Sequence, residues 1–236
     1  MDGEYNIMKY KLNRAWAEID LDAIAHNVLE IRKVIGKKVE MMGVVKADAY
    51  GHGVQEVVRT LLGSGVSQLA VSTLDEAIQI RQLGIGVPIL ILSCTDPGRA
   101  DEIVLNDITQ TIYSFKLAQA MSEASARLNR SARIHIKTDT GMSRIGYLPG
   151  CNAVKEIIEI ARLPGIITEG LFTHFASADE HERDYTLMQF DRYMNLVNEL
   201  KKAGLHIPVR HVCNSAGILQ YPEMHLDLVR PGIILY

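Results

Sequence analysis

Residues 40–62, EMMGVVKADAYGHGVQEVVRTLL, set two periodicities back to back. The run 40–46 is apolar and short enough for a buried strand. From Val54 onward the apolar positions fall at Val54, Val57, Val58, Leu61 and Leu62, the 3.6-residue period of a helix with one face to bury. Between them lies a stretch too rich in small residues and glycine to continue either element. The segment therefore reads as one strand–loop–helix unit.

The unit recurs. Comparable strand-like runs fall at 68–72, 88–92, 109–113, 132–137, 166–173, 209–212 and 226–229, which makes eight, with helical periods between them such as Tyr185, Met188, Leu196, Val197 and Leu200. Thr73 followed by Glu76 is a capping box, and Gly36, Gly63, Gly84 and Gly204 stand where helices should end. Alternating strands and helices imply a parallel sheet with right-handed crossovers, and eight of them in 236 residues predict an α/β fold closed as a (β/α)8 TIM-type barrel. A ninth run, 15–19, precedes the first helix, whose face is Ile24, Val28, Ile31 and Ile35. It is surplus to the ring and is expected to pair with a domain absent from this chain.

Composition closes off other classes. With 47% hydrophobic and 22% charged residues the chain can bury a core, and 25 Lys and Arg against 28 Asp and Glu leave a net charge of -3, which lacks the basic excess that gathers nucleic acid. Cys94, Cys151 and Cys213 form no C-x-x-C pair, which fits a reducing compartment. The stretch 1–11 has no cationic segment leading into an apolar one, and no apolar run approaches the roughly 18 residues that cross a bilayer. The expectation is a cytoplasmic protein with no membrane partner.

In a barrel of this kind the chemistry sits at the carboxyl ends of the strands. Lys46 ends the first strand there, where desolvation would favour a neutral amine able to form a Schiff base. The competing reading is a rim lysine with its stem laid on apolar surface. His211 to Gly217 after the seventh strand, and Arg230 to Ile233 after the eighth, occupy the usual phosphate position of barrels; the plain alternative is two tight turns. Lys137, Asp139 and Arg144 bring charge to the same mouth. His174 and His181, amid Asp179, Glu180 and Glu182, match no standard zinc spacing, so no metal is expected. Gly63-x-Gly65 and Gly84-x-Gly86 lack the third glycine of a dinucleotide site. His26, His135, His206 and His225 stand alone and read as structural.

Together these motifs resemble the alanine racemase family, enzymes that use pyridoxal 5'-phosphate (PLP) to interconvert L- and D-alanine. The resemblance runs from Ala17-Glu-Ile-Asp-Leu21 through Val45-Lys-Ala-Asp-Ala-Tyr-Gly-His-Gly53, Lys137-Thr-Asp-Thr-Gly-Met-Ser-Arg144-Ile-Gly146, Thr173-His-Phe-Ala176 and Asn214-Ser-Ala216 to Arg230-Pro-Gly-Ile-Ile-Leu-Tyr236. It implies that Lys46 holds PLP and acts as one of two bases. Tyr50, Asn214, Ser215, Gly232 and Ile233 would bind the cofactor, mostly its phosphate, and His174 would lie beside the ring. Arg144 would approach the phenolate and the substrate carboxylate, with Lys137, carbamylated in some members, holding it. His211 would orient Arg230 toward the pyridine nitrogen. The family's opposing base is a tyrosine from a C-terminal β-domain of the partner subunit in a homodimer. On this reading residues 1–236 are the PLP-binding barrel domain of an isomerase supplying D-alanine for cell-wall precursors, with low or no activity alone. Rival readings are a non-catalytic PLP-binding barrel, the soluble domain of a membrane serine racemase, and a Schiff-base aldolase without PLP.

Overall fold

The chain turns from strand to helix and back in the order the periodicities require, in a computed structural model that describes residues 15–236. The strands are β1 Glu40–Val44, β2 Gln68–Val71, β3 Ile89–Ile91, β4 Thr109–Ile112, β5 Ala132–Lys137, β6 Ile166–Phe172, β7 Val209–His211 and β8 Leu228–Val229. The helices are α1 Leu21–Ile35, α2 Lys46–Gly51, α3 Val54–Gly63, α4 Leu74–Gln82, α5 Ala100–Leu105, α6 Phe115–Leu128, α7 Cys151–Ala161, α8 Asp184–Lys202 and α9 Ser215–Gln220. All eight expected strands are present, each within the run read for it. The reading of residues 1–11 lies outside the described residues.

Every strand pair is parallel, in the order β7-β6-β5-β4-β3-β2-β1-β8. The ring meets between β7 and β8 through the residues that flank them. Asp227 N–H donates to Arg210 O at 3.2 Å and Arg230 N–H to Cys213 O at 3.0 Å. The Asp227 carboxylate also accepts Arg210 N–H at 2.9 Å and its guanidinium Nε at 2.7 Å. Side-chain bonds thus join backbone bonds at this seam. The fold is thus the expected barrel, nearly closed.

The helices bury the faces that the 3.6 period marks. Asp20 caps α1 by accepting Ala23 N–H at 3.0 Å, and Ile24, Val28, Ile31 and Ile35 turn inward. Because α1 packs against α3 on one side and α9 on the other, it fills the outer position that a helix after β8 would take. The period of α8 is displaced from the sequence reading. Its buried stripe is Thr186, Gln189, Tyr193, Leu196 and Leu200, while Tyr185 is 43% exposed. Gln189 tolerates burial because its amide is satisfied: Nε2 donates to His174 O at 3.1 Å and Oε1 accepts Ala176 N–H at 2.9 Å. Residues 15–19 carry no strand and Trp16 is 69% exposed, so the surplus strand does not form within this chain.

The barrel interior has two characters. Met42, Val44, Ala70, Leu90 and Leu228 make an apolar half. The half lined by β5, β6 and β7 instead buries His135, Lys137, Phe172 and His211, with Arg230 just beyond β8. A bulge between β5 and β6 sets this up: the register steps from Ile134 opposite Thr168 to His135 opposite Gly170. A Cβ on Gly170 would collide with the His135 ring, so glycine there makes room for a buried imidazole.

Candidate active site

Lys46 does not end a strand, as the sequence reading placed it; β1 stops at Val44 and Lys46 opens α2. The reason is backbone handedness. Ala47, Asp48, Ala49 and Tyr50 all sit in the left-handed region, at φ 52°, 52°, 54° and 54°. Such a turn costs roughly 1–2 kcal/mol per residue outside glycine, so something must hold it. Glu76 Oε1 accepts Ala47 N–H at 2.7 Å, Asp48 Oδ1 accepts Val54 N–H at 2.7 Å, and Asp48 O accepts Gly53 N–H at 3.0 Å. The turn brings the Lys46 ammonium nitrogen within 5.8 Å of the Tyr50 ring centre. Lys46 makes no hydrogen bond with any described residue.

A cleft of about 330 Å³ opens at the carboxyl end of the barrel. Its lining includes Lys46, Tyr50, His174, Asn214, Ser215, Arg230, Gly232 and Ile233. Eight of the residues singled out from sequence therefore meet in one place. Their side chains divide the work. Asn214 Oδ1 accepts Gly217 N–H at 3.0 Å, so its amide caps α9 rather than reaching into the cleft. Ser215 Oγ accepts Gly232 N–H at 3.0 Å, which clasps the segment after β7 to the one after β8 and leaves the hydroxyl proton free to donate. The amides of Ser215, Ala216 and Ile233 find no acceptor among the described residues. Gly232 lets the Tyr50 phenol come close: a Cβ there would lie 2.8 Å from its oxygen.

Arg230 is 3% exposed and has no carboxylate partner among the described residues. Its guanidinium donates to Thr173 O at 2.8 Å, to Val212 O at 3.1 Å and to His211 Nδ1 at 2.8 Å, above the Phe172 ring at 5.3 Å. Burial lowers its pKa only to about 10, so the charge stays. That charge, added to burial, governs the neighbours. His174 is pushed down to about 3, first by burial and then by Arg230, Arg144, Lys137 and Lys46, so a neutral imidazole faces the cleft. Lys137, 2% exposed, falls to about 7 for the same two leading reasons.

In the β5 loop the unmodified Lys137 makes no hydrogen bond to Arg144; its ammonium donates to Thr138 O at 2.7 Å and Ile145 O at 3.3 Å. Arg144 is exposed, makes no side-chain hydrogen bond to a described residue and does not line the cleft. Asp139 shapes that loop: it accepts N–H from Gly141 (3.0 Å), Ser143 (2.9 Å) and Arg144 (2.8 Å). Burial alone would raise its pKa, but these bonds outweigh it and the carboxylate titrates below its usual range. Among the described residues no group of three or more His, Cys, Asp or Glu gathers as a metal would need, and no helix is long and apolar enough to cross a membrane.

The sequence reading missed two residues of this region. Glu76 was legible only as half of a capping box, and His135 only as an isolated histidine.

An unpaired amine, a neutral imidazole, a buried guanidinium and unsatisfied amides thus meet in one cleft at the strand ends, which places the chain among the (β/α)8 barrels that carry a lysine at that mouth. Within that class, the chain belongs to the alanine racemase family: residues 19–236 match the family described as alanine racemase, N-terminal domain. It is 48% identical over 219 residues to alanine racemase 1 of Caldanaerobacter subterraneus subsp. tengcongensis, covering 93% of this chain and 56% of that protein. It is 45% identical over 225 residues to the alanine racemase of Clostridium tetani, covering 95% and 58%. Among solved structures it is similar to alanine racemase of Clostridium difficile 630 in complex with cycloserine, with a TM-score of 0.92, 43% identity, and 94% and 61% of the two chains covered. Alanine racemase from Bacillus anthracis with bound L-Ala-P gives a TM-score of 0.89 at 34% identity, over 94% and 57%. The chain thus spans little more than half the length of these relatives.

Proposed function

We propose that this chain is the cofactor-binding barrel of a PLP-dependent alanine racemase, and that the cleft of Lys46 is where PLP and the amino acid meet. The observation that carries the reading is the pairing, in one cleft, of an unbonded Lys46 amine with three orphan amides. A phosphate needs such donors, and an aldehyde needs such an amine. The residues fit the group. Ser215 O–H, the Tyr50 phenol and the amides of Ser215, Ala216 and Ile233 would hold its phosphate. Arg230, a cation without a carboxylate, suits a ring nitrogen that accepts a hydrogen bond, because guanidinium cannot give up its proton in a protein. Lys46 and Arg230 give the cleft two cationic side chains, as a ligand carrying phosphate and carboxylate requires.

Bound there, PLP would supply an electron sink that acidifies the Cα–H of the amino acid joined to it. The chain's own groups do the rest. Lys46 Nζ takes the Cα proton from one face of the substrate, or returns it there. Arg230, which keeps its own proton, would leave the ring nitrogen of the bound cofactor unprotonated and so moderate the electron sink it supplies. His174, neutral, presents a dipole rather than another charge. Racemisation needs a second base on the other face. By the resemblance that base is a tyrosine of a second domain from a partner subunit, so a homodimer belongs to the proposal, as does a cytoplasmic site of action.

The test is covalent. The chain incubated with PLP should turn yellow, and borohydride should fix the cofactor on Lys46, as found by peptide mass; Lys46→Ala should abolish both. Label elsewhere, or none, would overturn the reading. Robust conversion of L- to D-alanine by the 236-residue chain alone would show that no outside base is required.

A further inference from the structure

The Arg230 guanidinium is held by one imidazole, His211, which is itself held by a second that was not expected, His135. His211 Nδ1 lies 2.8 Å from Arg230 Nη1, and His211 Nε2 lies 2.9 Å from His135 Nδ1. Both rings are deeply buried, at 0% and 4% exposure. Phe172 stacks on His211 with ring centres 4.7 Å apart and planes 6° apart, fixing its plane. Gly170, brought opposite His135 by the bulge, leaves the space in which His135 stands.

A count of protons settles the roles. Arginine only donates, so His211 Nδ1 must offer a lone pair. A neutral imidazole then carries its proton on Nε2, and an N–H at such depth needs an acceptor. His135 Nδ1 is the acceptor, which places the proton of His135 on its own Nε2. A proton on His211 Nδ1 would set two donors head to head.

We propose that His135 is a positioning residue for Arg230. By accepting the His211 Nε2–H it locks His211 in the one tautomer that can hold the guanidinium. Its value for cofactor chemistry rests on the reading above, in which Arg230 faces the ring nitrogen of PLP. Burial and the nearby Arg230 charge push both histidines well below their usual range, so the relay stays neutral at physiological pH. A carboxylate in the place of His135 would hold a proton on His211 and cancel part of the Arg230 charge; an imidazole orients without doing either.

The test compares His135→Asn with His135→Leu, side chains of one shape that differ in the acceptor. In chain labelled with 15N-histidine, the wild type should show His211 and His135 neutral, each protonated on Nε2, with coupling across the bond between them. His135→Asn, whose Oδ1 stands near the lost Nδ1, should keep the His211 signal. His135→Leu should replace it with mixed tautomers and weaken PLP binding about tenfold, the size expected when a buried donor loses its partner. A wild-type His211 protonated on Nδ1, or a Leu variant matching the wild type in both readouts, would overturn the proposal. Should the Leu variant fail to fold, the wild-type tautomers and coupling decide alone. Tautomers as stated together with no borohydride label on Lys46 would uphold the relay and sink the cofactor reading instead.

Discussion

Glu76 Oε1 accepts the N–H of Ala47 at 2.7 Å, while Oε2 of the same carboxylate accepts those of Ser72 at 2.7 Å and Thr73 at 3.0 Å. One side chain therefore caps α4 and clamps the left-handed turn that carries Lys46. Glu76→Ala should destabilise the chain by about 2 kcal/mol or more, because it removes a cap and strands three backbone donors. Urea unfolding measures this, and PLP labelling of Lys46 should slow in the folded variant. Glu76→Gln, with one carbonyl oxygen left to accept, should fall between.

Gly232→Ala tests the closeness of the Tyr50 phenol. The new Cβ would sit 2.8 Å from the phenolic oxygen, on a backbone at φ -126° and ψ -96° that lies outside the regions a residue with a Cβ ordinarily adopts. Strain and collision together should cost roughly 1–3 kcal/mol of stability while the PLP dissociation constant rises severalfold. Tyr50→Phe, which brings no backbone strain, should raise the dissociation constant without that loss of stability. If both act through one hydroxyl, the double variant should lose less affinity than the two losses summed, a coupling that titration with PLP would show.

Acid should unfold the chain early. His135 and His174 titrate near 3 in the fold, and His211 well below its usual range, against 6.5 when unfolded. Below pH 6.5 the unfolded chain takes up protons that the fold refuses, so stability falls with pH. The slope approaches about 4 kcal/mol per pH unit if all three contribute. Denaturation midpoints between pH 6.5 and about 5.5, before carboxylates titrate, isolate the effect. His174→Asn should flatten the slope by roughly one proton; an unchanged slope would show that His174 does not titrate low.

Lys137 works in the other range. Its pKa falls from 10.5 unfolded to about 7 in the fold. Between these values the unfolded chain holds a proton that the fold lacks, so the destabilisation grows as pH falls from 10.5 and is complete below 7. Lys137→Met should therefore raise the melting temperature more at pH 6.5 than at about pH 10. The melting temperatures are to be compared pairwise at each pH, without PLP. An equal shift at both would mean that the lysine is solvated and titrates normally.

Much of this could be read along the chain. The eight strands, the α1 face, the capping box at Thr73 and Glu76 and the residues of the cleft rest on local patterns or on motifs that each sit within one strand-to-loop transition. The sequence reading of the α8 stripe includes Leu196 and Leu200 but misses Thr186 and Gln189, which are polar; Gln189 is satisfied by His174 O and Ala176 N–H in the loop after β6, partners that no hydropathy period can register. Residues 15–19 carry no strand among the described residues, where a strand would have no partner; pairing with a further domain, the expectation for them, is a matter outside this chain.

The sequence by itself determined the alternation of strands and helices, and with it the end of the barrel at which reactive groups collect, because side-chain periodicity and cap chemistry act over a few residues. Only the tertiary structure decided the handedness of the Lys46 turn, the seam between β7 and β8, and the union of His135, His211 and Arg230. Those partners stand 76 and 19 residues apart. Which inward-facing side chains meet depends on the register and bulge of the closed ring, and on a glycine whose part is to leave space; neither is written in any local run of residues.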